Sequence, residues 1–243
     1  MIEAVLFDLG DTLQHIETSS TRKLVESVVR AGHHDLVEKG LNPPPLGKYL
    51  RSLYLHMLWA YARSKVTRRE IQLITALHGI HRRMGISQSM EETEGYLGDC
   101  IYGIRQYVRT PPDALDVLRQ LREAGLKLGL VSNTVIPPAM LDGYLDKEKL
   151  LEFFPVRIYS SKVRYMKPHP RIFQIALDQI NVPAERTVFV GDRLDNDVKG
   201  ASRLGMKTIM VIPPDPVRRS PAGPDHVVRR LADIPPILLS QKC

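Results

Sequence analysis

Glu3-Ala4-Val5-Leu6-Phe7-Asp8-Leu9-Gly10-Asp11-Thr12-Leu13 runs from an apolar, β-prone segment into an acidic turn. Glu3 to Phe7 has the composition of a short strand buried in a parallel sheet. Asp8 falls where that strand ends, and Gly10, Asp11 and Thr12 favour a sharp turn after it. In open α/β sheets the carboxyl ends of strands are where ligands are handled. A carboxylate at that place can attack a substrate, hold a metal ion, or cap the turn that follows. The stretch alone leaves all three open.

The strand needs partners, and the chain supplies them only from Thr110 onward. Pro111-Pro112-Asp113 opens a helix through Ala124 with Leu115, Leu118 and Leu121 inward and Gly125 as its stop. Leu126–Val131, Val156–Ser160, Thr187–Val190, Lys207–Ile212 and Asp225–Val228 read as strands. Helices are expected over Pro170–Gln179 and from Asp195 or Asn196 to Leu204, with a short one near the C-terminus. Alternating elements of this size imply βαβ units on a parallel sheet. The predicted fold is therefore a doubly wound, Rossmann-like α/β sheet that includes the N-terminal strand.

Between these parts lies a block of different character. Thr21–Ala31 carries Leu24, Val25, Val28 and Val29 at helical spacing, and Gly40 to Pro45 breaks the chain. Leu46–Arg63 places Leu50, Leu53, Tyr54, Met57, Leu58 and Tyr61 at the spacing of a packed helix, with Tyr54 and Trp59 read as core. Thr67 with Glu70 three residues on has the pattern of a capping box. A further helix is expected over Glu91–Tyr107, interrupted by glycines. The predicted boundaries are residues 1–13 and 110–243 for the α/β core and 14–109 for an inserted helical domain.

Composition narrows the function classes. The 243 residues are 43% apolar and 25% charged, ordinary for a globular chain. No apolar run approaches the roughly 20 residues that span a bilayer. Glu3 and Asp8 interrupt the N-terminus, which lacks a basic start and a cleavage pattern, so a cytoplasmic protein is expected. Cys100 and Cys243 can build neither a disulfide framework nor a zinc site. The net charge is +7, with arginine pairs at 68–69, 82–83, 218–219 and 229–230. No long basic run or aromatic-interleaved basic stretch accompanies it, so a small anionic substrate is expected and no nucleic acid or membrane partner. His33-His34 reads as a solvated loop pair, and His78 with His81 lacks a third metal ligand.

Strand ends supply the remaining polar residues. Ser132 and Asn133 follow one strand, Lys167-Pro168 follows another after a loop, and Gly191-Asp192 with Asp195 and Asp197 follows a third. Each has a local reading as a turn, cap or surface residue. In this order, the set resembles the haloacid dehalogenase superfamily, over roughly residues 1–13 and 110–243. The family's first motif, Asp-x-Asp-x-Thr, is matched at Asp8 and Thr12 with Gly10 in the middle place. Its second, a Ser or Thr at a strand end, is matched at Ser132. Its Lys is matched at Lys167, and its Gly-Asp with a later Asp at Asp192 and Asp197.

The resemblance implies a phosphatase branch with a helical C1-type cap and a bound Mg²⁺. Asp8 would be the nucleophile. Asp8, the Gly10 carbonyl, Asp192 and Asp197 would serve the metal, and Ser132, Asn133 and Lys167 the phosphoryl group of a small phosphorylated substrate. The departure is Gly10, where the family's phosphatases usually carry the Asp that acts as general acid and base. Asp11 or His15 could stand in for it, the substrate could carry a good leaving group, or the chain could bind a phosphorylated ligand with weak turnover or none. Family members that displace halide also lack that Asp, but their reaction needs no metal, so Asp192 and Asp197 argue for phosphoryl transfer.

Overall fold

The structure is a computed structural model that describes residues 1–18, 20–67, 69–212 and 223–240. Arg68, Arg218-Arg219 and Cys243 lie outside the described residues. The chain divides into two compact units, Met1–His15 with Thr110–Cys243, and Ile16–Arg109.

Among the described residues the first unit is built on a sheet of six strands: β1 (Ala4–Phe7), β2 (Lys127–Ser132), β3 (Val156–Tyr159), β4 (Thr187–Gly191), β5 (Lys207–Val211) and β6 (His226–Val228). Every neighbouring pair is parallel, and the order across the sheet is β3-β2-β1-β4-β5-β6. The order reverses between β1 and β4, and a doubly wound sheet opens its ligand crevice at such a point.

The sheet is apolar on both faces because helices cover both. Val5 and Phe7 of β1, Leu128 and Leu130 of β2, and Val188 and Val190 of β4 enter one core. That core also holds residues of α5 (Ala114–Glu123), α6 (Pro138–Lys147) and α8 (Ile234–Leu239). Ala4, Leu6, Val131 and Phe189 face the opposite side, against Ile172, Phe173 and Ala176 of α7 (Pro170–Ile180). This two-sided burial is why the strands read as near-continuous apolar runs. The helix expected from Asp195 or Asn196 to Leu204 is instead a π-helical turn at Leu194–Val198 followed by one α-helical turn at Lys199–Ser202.

Among its described residues the second unit holds four helices: α1 (Thr21–Glu38), α2 (Leu46–Thr67), α3 (Leu73–Arg83) and α4 (Met90–Arg105). Its two ends are tied together. Glu17 N–H donates to the Tyr107 carbonyl at 2.7 Å, and Arg109 pairs with Glu17 at 3.1 Å. Its interior is partly polar: the Tyr49 hydroxyl lies 2.8 Å from His81 Nε2 and 2.9 Å from the Tyr96 hydroxyl. His81 Nδ1 lies 2.7 Å from Gln88 Oε1, so both ring nitrogens are engaged. Burial pushes the His81 value down, which keeps the ring neutral.

Several local features depart from what the sequence suggests. Thr67 closes α2 rather than opening the next helix, its hydroxyl donating to the Arg63 carbonyl; the capping box belongs to Ser89 and Glu92 at the start of α4. Gly95, Gly98 and Gly103 sit inside α4 without breaking it. His33-His34 lies within α1, with His33 Nε2 held 2.8 Å from the Pro44 carbonyl. Tyr54 and Trp59 are not core: each is 65% exposed. Of the stripe read as packed on α2, Leu50, Leu53 and Met57 are half-buried, whereas Leu58 and Tyr61 lie exposed with Tyr54.

Candidate active site

The site is assembled at the sheet's reversal. Asp8 directly follows β1, and its N–H donates to the Val190 carbonyl of β4 at 2.8 Å. Asp192 directly follows β4. One carboxylate thus leaves each of the two strands that border the crevice. The π-helical turn after Asp192 brings back Asp197, whose N–H donates to the Arg193 carbonyl at 2.8 Å and whose Oδ2 accepts from Arg193 N–H at 3.0 Å. A β-carbon at position 191 would lie 2.6 Å from Asp197 Cγ, so only glycine lets the carboxylate approach the strand end.

Lys167 lies among these acids. Its Nζ is 2.7 Å from Asp8 Oδ1 and 2.7 Å from Asp197 Oδ1, and it stands 5.2 Å over the Phe189 ring. The side chain is buried. Burial would push its ammonium down, but Asp8 and Asp197 outweigh that and hold it above the ordinary lysine value. Asn133 spends its amide on the main chain of Lys167: Oδ1 accepts from Lys167 N–H at 2.7 Å and Nδ2 donates to the Lys167 carbonyl at 2.9 Å. Nothing in Ser132-Asn133 as a turn sequence signalled that clamp. Ser132 is the buried last residue of β2.

Oxygens of Asp8, Asp192 and Asp197 lie within 4.8 Å of one another, the one such grouping of possible metal ligands among the described residues. Burial, chiefly, pushes the Asp8 carboxyl up; Lys167 opposes this and Asp197 adds to it. Asp192 is pushed up to about 7 by burial, then by Asp8, Asp197 and Asp11. Asp192 Oδ1 is buried with no hydrogen-bond partner among the described residues. Crowded, partly desolvated carboxylates with a free oxygen suit a hard divalent cation of the Mg²⁺ class, which takes oxygen ligands and offsets the repulsion.

The turn after Asp8 is tight. Gly10 bridges to Gln14, and Asp11 takes a left-handed conformation with φ 57°. Asp11 and His15 are both exposed, yet the Asp11 charge is felt at Asp192. Gly10 does not have positive φ, and a β-carbon there would meet nothing within 4 Å. Thr12 Oγ1 and Gln14 Nε2, in this same turn, are buried with no hydrogen-bond partner among the described residues. Gln14 carried no sequence signal.

The model of the haloacid dehalogenase-like hydrolases matches residues 2–205. The chain belongs to that family. This HAD-like hydrolase is 30% identical over 216 residues to the glyceraldehyde 3-phosphate phosphatase of Methanopyrus kandleri, covering 87% of this chain and 84% of the relative. It is 31% identical to the glyceraldehyde 3-phosphate phosphatase of Pyrococcus abyssi, over 86% of this chain and 81% of the relative. Among solved structures, the 2-haloacid dehalogenase of Pseudomonas syringae superposes with a TM-score of 0.74 at 22% identity, covering 99% of this chain and 100% of that one. A HAD phosphatase of Thermococcus onnurineus gives 0.63, also at 22% identity, with 98% of each chain covered. These two likenesses carry the fold of the hydrolase.

Proposed function

We propose that this HAD-like hydrolase is a Mg²⁺-dependent phosphatase of a small phosphorylated metabolite, with Asp8 as nucleophile. The observation that carries the reading is the carboxylate triad at the sheet's reversal, joined by a buried lysine bridging two of its members. Halide displacement needs no metal, so three converging acids favour phosphoryl transfer. The relatives' activity on glyceraldehyde 3-phosphate makes a triose phosphate the first substrate to assay.

In this reading Asp8, Asp192 and Asp197, with the Gly10 carbonyl, would hold Mg²⁺. The ion would supply charge neutralisation for the phosphoryl oxygens. Lys167 engages Asp8 Oδ1, and Oδ2 is the oxygen that would attack phosphorus. The Asp8 oxygen–phosphorus bond forms as the ester oxygen leaves with its electron pair, and water then hydrolyses the aspartyl-phosphate. Ser132 would donate a hydrogen bond to a phosphoryl oxygen, and Lys167 would place a fixed positive charge beside it.

No carboxylate at position 10 protonates the leaving group, so the rate is expected to fall steeply as the leaving-group pKa rises. Phosphate release from a panel of phosphomonoesters of graded leaving-group pKa, with and without Mg²⁺, tests the reading. Turnover abolished by Asp8→Asn and by chelation is expected. Metal-independent chloride release from 2-haloacids, without phosphatase activity, would reverse the assignment.

A further inference from the structure

Ser132 of β2 stands opposite Tyr159 of β3 in the parallel register, so the chain leaves the two strands side by side. Ser160 and Ser161 then open a single helical turn, Ser160–Val163. A serine beside a helix start ordinarily caps its own turn. Here the capping position is Tyr159, whose side chain makes no capping bond, and the two hydroxyls reach across to the loop that follows Ser132. Ser160 Oγ accepts from Thr134 N–H at 2.8 Å and donates to the Thr134 carbonyl at 3.1 Å. Ser161 Oγ donates to the Ile136 carbonyl at 2.8 Å. Ser160 is fully buried.

The N–H and carbonyl of one residue flank its Cα, so a side chain that grips both restrains that residue's φ and ψ. Ser160 does this to Thr134, and Asn133 does it to Lys167 in the opposite direction. Each connection thus holds the other, and Thr134 Oγ1 tightens the first by accepting from Ile136 N–H at 3.0 Å. The lacing begins two residues after Ser132 and ends on Lys167, the two side chains that the phosphatase reading sets against the phosphoryl group. We propose that Ser160 is a positioning residue of that subsite. Its clamp on Thr134 sets where Ser132 and Asn133 stand, and through Asn133 where the Lys167 main chain stands, for the oxygens of a phosphate monoester dianion. Such a subsite works only when the groups behind it hold its donors in place. The inference rests on the phosphatase reading.

Ser160→Ala in the full chain removes the clamp and leaves every carboxylate in place. Tm is expected to fall by a few degrees. Phosphate release should fall about 10²-fold in kcat/KM. Inorganic phosphate, titrated by calorimetry with Mg²⁺ present, should bind about tenfold more weakly or worse, while the rise in Tm caused by Mg²⁺ alone persists. Thr187→Ala is the structural comparison: its buried hydroxyl donates to the Pro183 carbonyl at 2.9 Å, at the other end of β4. It should lower Tm similarly and keep kcat/KM and phosphate affinity within about twofold. Ser160→Cys keeps the volume with only weak hydrogen bonding, and a fall of about tenfold in kcat/KM is expected. Wild-type kcat/KM and phosphate affinity in Ser160→Ala or Ser160→Cys overturn the proposal. So does loss of the Mg²⁺ effect in Ser160→Ala, because the clamp would then hold the fold rather than this subsite. Failure of the phosphatase reading shows differently, as a wild-type chain that turns over no phosphomonoester. Phosphate affinity then decides, and a wild-type chain that binds no phosphate overturns the inference as well.

Discussion

Asn133 grips the main chain of Lys167 from both sides, accepting from its N–H at 2.7 Å and donating to its carbonyl at 2.9 Å. The two residues stand on different connections of the sheet, one after β2 and one before α7. The clamp fixes where the lysine begins, and the ion pairs with Asp8 and Asp197 fix where it ends.

Asn133→Ala should therefore act through Lys167. Two hydrogen bonds are lost at a half-buried site, costing about 1–3 kcal/mol of stability. A displaced ammonium lowers kcat by about 10²-fold. The carboxylates are untouched, so the Mg²⁺-induced rise in Tm should persist. Steady-state kinetics beside thermal melts with and without Mg²⁺ check this, and loss of the Mg²⁺ effect would contradict it.

Gly10→Asp asks whether the missing acid limits turnover. The position has room for a side chain and a backbone that any residue can adopt. Stability is expected to change by no more than about 0.5 kcal/mol. With substrates of poor leaving groups kcat should rise by about 10²–10⁴-fold, the usual worth of a positioned general acid. An unchanged rate would mean that another group, Asp11 foremost, already supplies the proton.

The Asp192 carboxyl, pushed up to about 7, sets a pH dependence. Its folded value is raised, so in the metal-free chain its contribution to stability is fully present below the ordinary value near 3.8. That contribution is lost as pH rises through about 7. A divalent cation must displace the same proton, so Mg²⁺ affinity should increase with pH and level off above about 7. Thermal shifts with Mg²⁺ should be larger at pH 8 than at pH 6. A pH-independent shift would remove Asp192 from the ligand set.

Gly191→Ala places a methyl group 2.6 Å from Asp197 Cγ. Overpacking should cost about 1–3 kcal/mol. It should also move Asp197 away from Lys167, weakening both Mg²⁺ binding and turnover. Calorimetry for the metal and phosphate release for activity test this. Retained Mg²⁺ affinity would show that Asp197 is not held at the strand end by the glycine's openness.

Much of this was readable along the chain. Strands such as Val5–Phe7 and Val188–Val190 announce themselves because both faces of the sheet are covered. Asp8, Ser132 and Asp192 stand out because each follows such a run. Local rules failed where two environments share one pattern. Thr67 with Glu70 carries the letters of a helix start at a helix end. The periodicity of α2 put Tyr54, Leu58 and Tyr61 on the packed side, and they lie on the bare one. Asn133 reads as a turn residue because the residue it holds lies 34 positions away.

By itself the sequence determined the alternation of elements and the placement of acids at strand ends, since strand burial and turn chemistry are set by near neighbours. Only the tertiary structure decided that Asp8, Lys167 and Asp197 become one ion-paired cluster with Asp192 beside it. Strand order β3-β2-β1-β4-β5-β6 sets β1 next to β4, and that is what brings carboxylates some 190 residues apart to within 4.8 Å.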